Sequence, residues 1–310
     1  MGKKLVRIFK FNSVSILGIG IIIGVLLIWG LIQVDEINQK LTLINFPKPK
    51  LFSKAITQAS SSALKATNAA PTAKSTAKIS IPQNFGRTVN VPILMYHYIG
   101  NNPNPIDTAR DYLSVPPDKF DAQMSYLASK GYTTISLDTL YAALKGSASL
   151  PNKPITLTFD DGYIDFYINA YPILKKYNFT AISFIPTGLM NQGYYLNWDQ
   201  IREMHNSGLI IFEAHTVNHY NLNNLSYDKV KNQLTQSKQT LQDILGYPIN
   251  FIAYPYGLSN PSVWQAAKEV GFVGGLGTWG GTIESEGNIM NMPRIRIAGS
   301  WSLAEFARRF

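Results

Sequence analysis

No cysteine occurs in the 310 residues. Disulfides, thiolate nucleophiles and cysteine-based zinc sites are therefore excluded, so any metal or nucleophile chemistry must be built from other side chains. Histidine is nearly as scarce: His97, His205, His215 and His219 are the full set. Acidic residues are almost missing from the first 90 positions, which hold 12 Lys+Arg against only Asp35 and Glu36. Positions 91–310 carry the other 16 basic residues against 17 acids, so the net charge of +9 belongs to the N-terminal arm. A body that binds nucleic acid carries its own basic face. This one does not, and nucleic acid is set aside as a partner.

Charge is also absent from Phe11 to Val34, "FNSVSILGIGIIIGVLLIWGLIQV". About 20 apolar residues suffice for a helix to cross a bilayer. Lys3, Lys4, Arg7 and Lys10 precede the run, and flanking cations hold a terminus in the cytoplasm. The run is longer than the 7–15 residues typical of a signal-peptide core, and no A-x-A pattern follows it. The expected order is a basic cytoplasmic N-terminus (1–10), a single-pass membrane anchor (11–34), an extracellular linker (35–90) and a folded body outside the cell (91–310). The linker is rich in Ala, Ser, Thr and Lys with almost no aromatics, a composition that cannot bury enough apolar surface to fold.

From Val91 onward short apolar runs alternate with amphipathic stretches. "VPILMYH", "TTIS", "PITLTF", "AISFIP", "LIIFEAH", "NFIAYP" and "FVGGL" read as strands. Helices are expected over 117–129, 137–145, 163–177, 198–207, 227–245 and 261–270. Within 227–245, Val230, Leu234, Leu241 and Leu245 recur at helical spacing and should face a core. About seven β-α repeats imply a parallel sheet, and curled on itself it would form a distorted (β/α)7-type α/β barrel.

Barrels of this kind carry their chemistry where strands end. Those points hold His97, the adjacent Asp160 and Asp161 of "ITLTFDDGY", His215 with His219 in "HTVNH", and "YPYG" at 254–257. Two like charges side by side are costly to bury unless something positive compensates them. Asp-Gly also occurs in ordinary turns. Two histidines four residues apart, on a helix turn or across a tight loop, could share a metal with one carboxylate. One aspartate would then face the metal and the other would remain free as a base. The glutamate of H-E-x-x-H is missing, which disfavours a zinc protease. His205 reads as a surface or capping residue.

With "TFDDG" (158–162), "HTVNH" (215–219) and "YPYG" (254–257) in order, the body resembles the metal-dependent polysaccharide deacetylases, the NodB-homology or carbohydrate-esterase family 4 proteins. The stretches "VPILMYHYIG" and "PPDKFDAQMSYLASKGY" are similar to the branch acting on poly-β-1,6-N-acetylglucosamine. The resemblance implies Asp160 as general base, with Asp161, His215 and His219 binding a divalent cation, zinc foremost and cobalt or nickel as alternatives. It also implies a Tyr256 backbone N–H at the oxyanion and His97 as the acid. No histidine follows His219, where many members carry their acid. Where many members begin the third motif with an arginine, this chain has Ala253; Arg294 or Arg296 of "MPRIRI" could orient Asp160 instead.

Tyr254, Pro255, Trp198 and Trp279 are further candidates for substrate contact. Asn197 with Gln200 has capping-box spacing. The expected function is removal of N-acetyl groups from an N-acetylglucosamine polymer, with peptidoglycan as the alternative substrate to the β-1,6 polymer. The competing class is a non-catalytic carbohydrate-binding protein. Exopolysaccharide secretion machinery is a candidate partner.

Overall fold

A computed structural model describes residues 86–310 except Pro105. The proposed anchor at 11–34 and most of the linker lie outside the described residues. Among those described, no helix is long and apolar enough to cross a membrane.

The architecture follows from which face each strand residue takes. In β4 (Pro154–Asp160), Ile155, Leu157 and Phe159 enter one apolar cluster. Successive strand side chains point to opposite faces, so Thr156, Thr158 and Asp160 share the other face. The same alternation divides β2 (Ile93–Tyr96), with Leu94 and Tyr96 in the first cluster and Ile93 in a second. In β5 (Ala181–Ile185), Ile182 and Phe184 belong to the second cluster; in β7 (Phe251–Ala253), Phe251 and Ala253 do. β6 (Ile210–Ala214), β8 (Gly274–Leu276) and β10 (Ile295–Arg296) complete the series.

The strands run in the order β10-β2-β4-β5-β6-β7-β8, each pair parallel, with β3 (Thr133–Thr134) beside β4. Strands near opposite ends of this order share the inner cluster, so the sheet curls. It does not close. One isolated parallel bridge, Leu276 with Met292, spans the gap between β8 and β10. The expected barrel is therefore a curled half-barrel, because the chain after β8 gives only two residues of paired strand at the closing edge.

Helices cover the outer face, where the larger cluster sits. The α1 turn (Thr108–Asp111) precedes α2 (Pro117–Ser129), α3 (Leu137–Leu144), α4 (Tyr171–Tyr177) and α5 (Trp198–Asn206). α6 (Tyr227–Leu245) buries Val230, Leu234 and Leu241 and ends on Gly246, whose left-handed φ of 75° closes the last turn. α7 (Pro261–Val270) starts with Asn260 capping the Val263 N–H and Pro261 in the first turn. α8 (Leu303–Ala307) follows β10. Each fully buried Leu or Phe stabilises the fold by roughly 1.5–3 kcal/mol.

One feature has no counterpart in the sequence expectations. β1 (Thr88–Asn90) pairs antiparallel with β9 (Ile283–Ser285), so ordered pairing begins three residues ahead of the expected boundary at 91. Glu284, opposite Val89, is fully buried, and neither carboxylate oxygen has a hydrogen-bond partner. Burial pushes its carboxyl up to about 8.

Candidate active site

Face alternation decides which side chains enter the mouth of the curl. Continuing β2 and β6 by one residue places His97 and His215 on the inner face that Asp160 of β4 already takes. Arg294 and Arg296 flank Ile295, which packs in the outer cluster, so they too point inward. A cavity of about 300 Å³ is lined by His97, Asp160, Asp161, His215, His219 and Arg296, with Tyr163 and Tyr256 at its edge.

The two aspartates diverge because the chain turns sharply between them. Asp161 and Gly162 adopt φ of 73° and 68° in succession. Gly162 has a second constraint, since a Cβ there would lie 2.8 Å from Ile185 Cγ2. Asp160 is turned to Arg294, whose Nη1 and Nη2 donate to Oδ1 and Oδ2 at 2.8 and 2.7 Å. Arg294 is fully buried and also donates from Nε to the Gly277 carbonyl and from Nη1 to Thr158 Oγ1. Burial alone would raise the Asp160 carboxyl; the Arg294 guanidinium outweighs it and holds the pKa below the usual carboxylate value.

Asp161 turns the other way. Its Oδ1 lies 3.3 Å from His215 Nε2 and 3.2 Å from His219 Nε2. Burial opposes its charge, but the two imidazoles hold its carboxyl well below the ordinary value. The three candidate ligand atoms lie within 4.8 Å of one another, and Asp161 Oδ1 is buried without a hydrogen bond. A buried, unpaired anionic oxygen facing two imidazole nitrogens fits a divalent cation. His215 Nδ1 lies 2.6 Å from the Ala253 carbonyl. A proton on Nδ1 donated there leaves the Nε2 lone pair free to face the cation, the usual arrangement around a metal-binding histidine.

"HTVNH" is a loop rather than a helical turn. Thr216 and His219 have φ of 68° and 55°. Gln233 of α6 fixes the loop by accepting from the N–H groups of Val217 and Asn218, and Thr216 Oγ1 accepts from the His219 N–H. Tyr256, also at positive φ (60°), sets its ring 4.8 Å from that of His219. Left-handed backbone at non-glycine residues costs energy and here gathers around the cavity. Burial lowers the His97 imidazole below its ordinary value, against the opposing charges of Asp160 and Asp161.

The remaining candidates divide. Tyr254 follows inner-facing Ala253 and so points outward; its ring is fully buried in the outer cluster and cannot touch a substrate. Pro255 is buried behind Tyr256. Trp198 opens α5 and packs against the outer cluster away from the cavity, while Asn197 and Gln200 form the reciprocal cap. Trp279 is about half exposed and donates from Nε1 to the Asn291 carbonyl. Arg296 lines the cavity but makes no ion pair among the described residues. His205 stacks on Tyr247. Tyr163 and Gln233 were not anticipated: the first follows the aspartate pair in an unremarkable turn, and the second is one polar residue on a helix face.

Comparison with known proteins agrees with this geometry. The pattern defining the polysaccharide deacetylase family matches residues 147–275. YxkH of Bacillus subtilis (strain 168), itself assigned to the polysaccharide deacetylases, is 30% identical over 220 residues, covering 71% of this chain and 76% of that protein. The poly-beta-1,6-N-acetyl-D-glucosamine N-deacetylase of Staphylococcus aureus (strain MRSA252) is 32% identical over 199 residues, 60% of this chain and 68% of that one. Among solved structures, the Streptococcus pyogenes deacetylase PplD in complex with acetate is 37% identical with a TM-score of 0.67, covering 72% of this chain and 99% of that chain. A curled parallel sheet, an aspartate pair split between a guanidinium and two histidines, and these likenesses together establish that the chain belongs to the polysaccharide deacetylase family.

Proposed function

We propose that the protein is a metal-dependent N-deacetylase of an extracellular N-acetylglucosamine polymer, poly-β-1,6-N-acetylglucosamine foremost. The observation that carries this is the division of labour between Asp160, braced by Arg294, and Asp161, grouped with His215 and His219, around one cavity. The S. aureus relative named for the β-1,6 polymer supports the choice of substrate. The charge-free run at 11–34 supports an anchored body facing outward.

Hydrolysis of an acetamide adds water to the carbonyl carbon, breaks the C–N bond, releases acetate and leaves a protonated amine. Asp161, His215 and His219 would hold the cation. A divalent ion there, zinc foremost with cobalt or nickel as alternatives, supplies a Lewis acid for the carbonyl oxygen and makes the attacking water more acidic. Asp160 keeps its negative charge at neutral pH and accepts the water's proton as the C–O bond forms. Arg294 uses both carboxylate oxygens, which fixes the plane of the base. Tyr256 stands beside His219, where its backbone N–H would meet the oxyanion. His97, with its pKa lowered by burial, rests as a neutral imidazole at neutral pH; it would take up the proton that Asp160 received from the water and pass it to the nitrogen as the C–N bond breaks.

The test is acetate release by the full chain with zinc or cobalt from poly-β-1,6-N-acetylglucosamine, chitooligosaccharides and peptidoglycan in parallel, with Asp160→Asn and His97→Asn as controls. Metal-dependent release lost in Asp160→Asn is the expected result. Preference for peptidoglycan would replace the proposed substrate. Binding of one metal per chain without acetate from any polymer would favour a carbohydrate-binding protein.

A further inference from the structure

At the closing edge of the sheet lies a second hollow of about 390 Å³. Its walls come from the loop after β8, through Thr278, Gly280 and Gly281, and from Arg294, Arg296 and Arg309. Thr278 and Arg296 also line the catalytic cavity, so the two spaces share a wall. Among the described residues no Asp or Glu lines the hollow. Positions 91–310 carry 16 basic residues against 17 acids. Three arginines around one acid-free space are therefore a local departure from a balanced body.

The three arginines differ in what they already hold. Arg294 is buried and committed to Asp160, Thr158 and the Gly277 carbonyl. Arg296 and Arg309 are exposed, and neither makes an ion pair among the described residues. The Arg309 guanidinium carbon lies 4.2 Å from the centroid of the Trp301 ring. Stacking holds a guanidinium by its face and leaves its edge N–H groups free to donate. The acid nearby in sequence, Glu305, caps its own helix by accepting from the Ser302 N–H and hydroxyl at 2.7 and 2.9 Å. The N–H groups of Gly280 and Gly281 donate to no acceptor among the described residues. The hollow thus offers donors and positive charge with no negative charge of its own. Nothing in the hydrolytic steps uses Arg309 or these glycines.

We propose that this hollow binds an oxyanion, a phosphodiester or carboxylate carried by the polymer close to the acetamide that is cleaved. The occupant's chemistry follows from the donors. A guanidinium fork matches the paired oxygens of a carboxylate or phosphate, and bonds to a charged acceptor are roughly twice as strong as those to a neutral one. The wall shared through Thr278 and Arg296 sets the anion beside the reacting sugar. This rests on the deacetylase function proposed above. It adds selection by charge: a polymer bearing an oxyanion is preferred to the same polymer without one.

The experiment compares three N-acetylglucosamine oligomers of equal length: one neutral, one with a phosphodiester and one with a carboxylate next to the acetylated residue. Binding is measured to the full chain carrying Asp160→Asn, and acetate release with the active full chain and zinc, each at low and high salt. Arg309→Gln removes a charge from the hollow, and Arg308→Gln removes the same charge from a residue that does not line it. Both arginines are exposed, so neither change threatens the fold. At low salt at least one anionic oligomer should bind about tenfold tighter than the neutral one, and salt should shrink that advantage. Arg309→Gln should abolish the advantage and raise KM for that oligomer, leaving kcat on the neutral oligomer unchanged; Arg308→Gln should do neither. An advantage confined to the phosphodiester or to the carboxylate supports the site and identifies its anion. Equal binding of all three oligomers, or equal losses in the two arginine variants, overturns it. Binding without acetate from any oligomer would count against the deacetylase function instead, and the binding comparison would still decide the hollow.

Discussion

Arg294 and Asp160 form a two-point ion pair, 2.8 and 2.7 Å, with both side chains almost wholly removed from solvent. The guanidinium comes from the residue just before β10, the strand that pairs with β2, 134 residues after the carboxylate it braces. A parallel pair of hydrogen bonds fixes orientation as well as charge.

Replacing Arg294 tests that brace. Lysine offers a point charge instead of a planar fork, and Arg294→Lys should lower kcat by about 100-fold through misplacement of the base. Arg294→Ala leaves a buried carboxylate uncompensated and should cost about 3–5 kcal/mol of stability. The sign of the pH effect is fixed. Arg294 holds the Asp160 carboxyl low, so its loss raises that pKa and moves the acid limb of kcat/KM to higher pH. An acid limb that stays put in Arg294→Ala, where the charge is gone, would show that Asp160 is not the base.

Metal removal should abolish acetate release without unfolding the chain. Adding zinc back at about 100 times its dissociation constant should then stabilise the native state by about 2.7 kcal/mol, read as a rise in Tm. His219→Ala should remove both the metal stoichiometry and the Tm response. A full response in that variant would place the cation elsewhere.

Gly162 is a backbone requirement. Its φ of 68° and the 2.8 Å approach of Ile185 Cγ2 leave no room for a methyl group. Gly162→Ala should destabilise the fold by more than about 1 kcal/mol and lower metal affinity, because the adjacent Asp161 turn must shift. Urea unfolding and metal titration on one preparation check both effects.

Glu284 gives a pH dependence of stability. Its carboxyl lies at about 8 in the fold against an ordinary 4.5. The folded chain therefore holds a proton that the unfolded chain releases. The associated stability is fully present below 4.5, declines as pH rises and is lost above about 8. Glu284→Gln keeps a neutral side chain throughout and should remove this decline. Parallel slopes for wild type and variant between pH 5 and 9 would contradict it.

Much of the body was legible because its strands obey a period of two and its helices carry clear boundaries. "PITLTF" became β4, and 227–245 and 261–270 coincide with helices ended by Gly246 and Gly271. The grouping of Asp161, His215 and His219 was visible because two of only four histidines stand four residues apart after one strand, and the family motifs name the aspartate that joins them. Tyr254 misled because its sequence neighbourhood is functional, whereas the strand's alternation turns it outward. β10, two residues long, has no pattern of its own; Arg294 could be named as a candidate, but choosing it over Arg296 needed the side-chain contacts, since both flank Ile295 and face inward. Tyr98 stacks on Tyr163 and Tyr163 on Tyr195, a grouping that only tertiary contact produces.

The late position of Arg294 also has a bearing on biosynthesis. A growing chain releases the aspartate pair and both histidines well before it releases the residue that neutralises Asp160, and domains fold in the order they emerge. Until β10 slots in beside β2, the nascent body carries an unpaired acid on the inner face of its sheet. Docking this late segment and arming the base are thus a single event, and a chain cut short before residue 294 lacks the charge that steadies its centre.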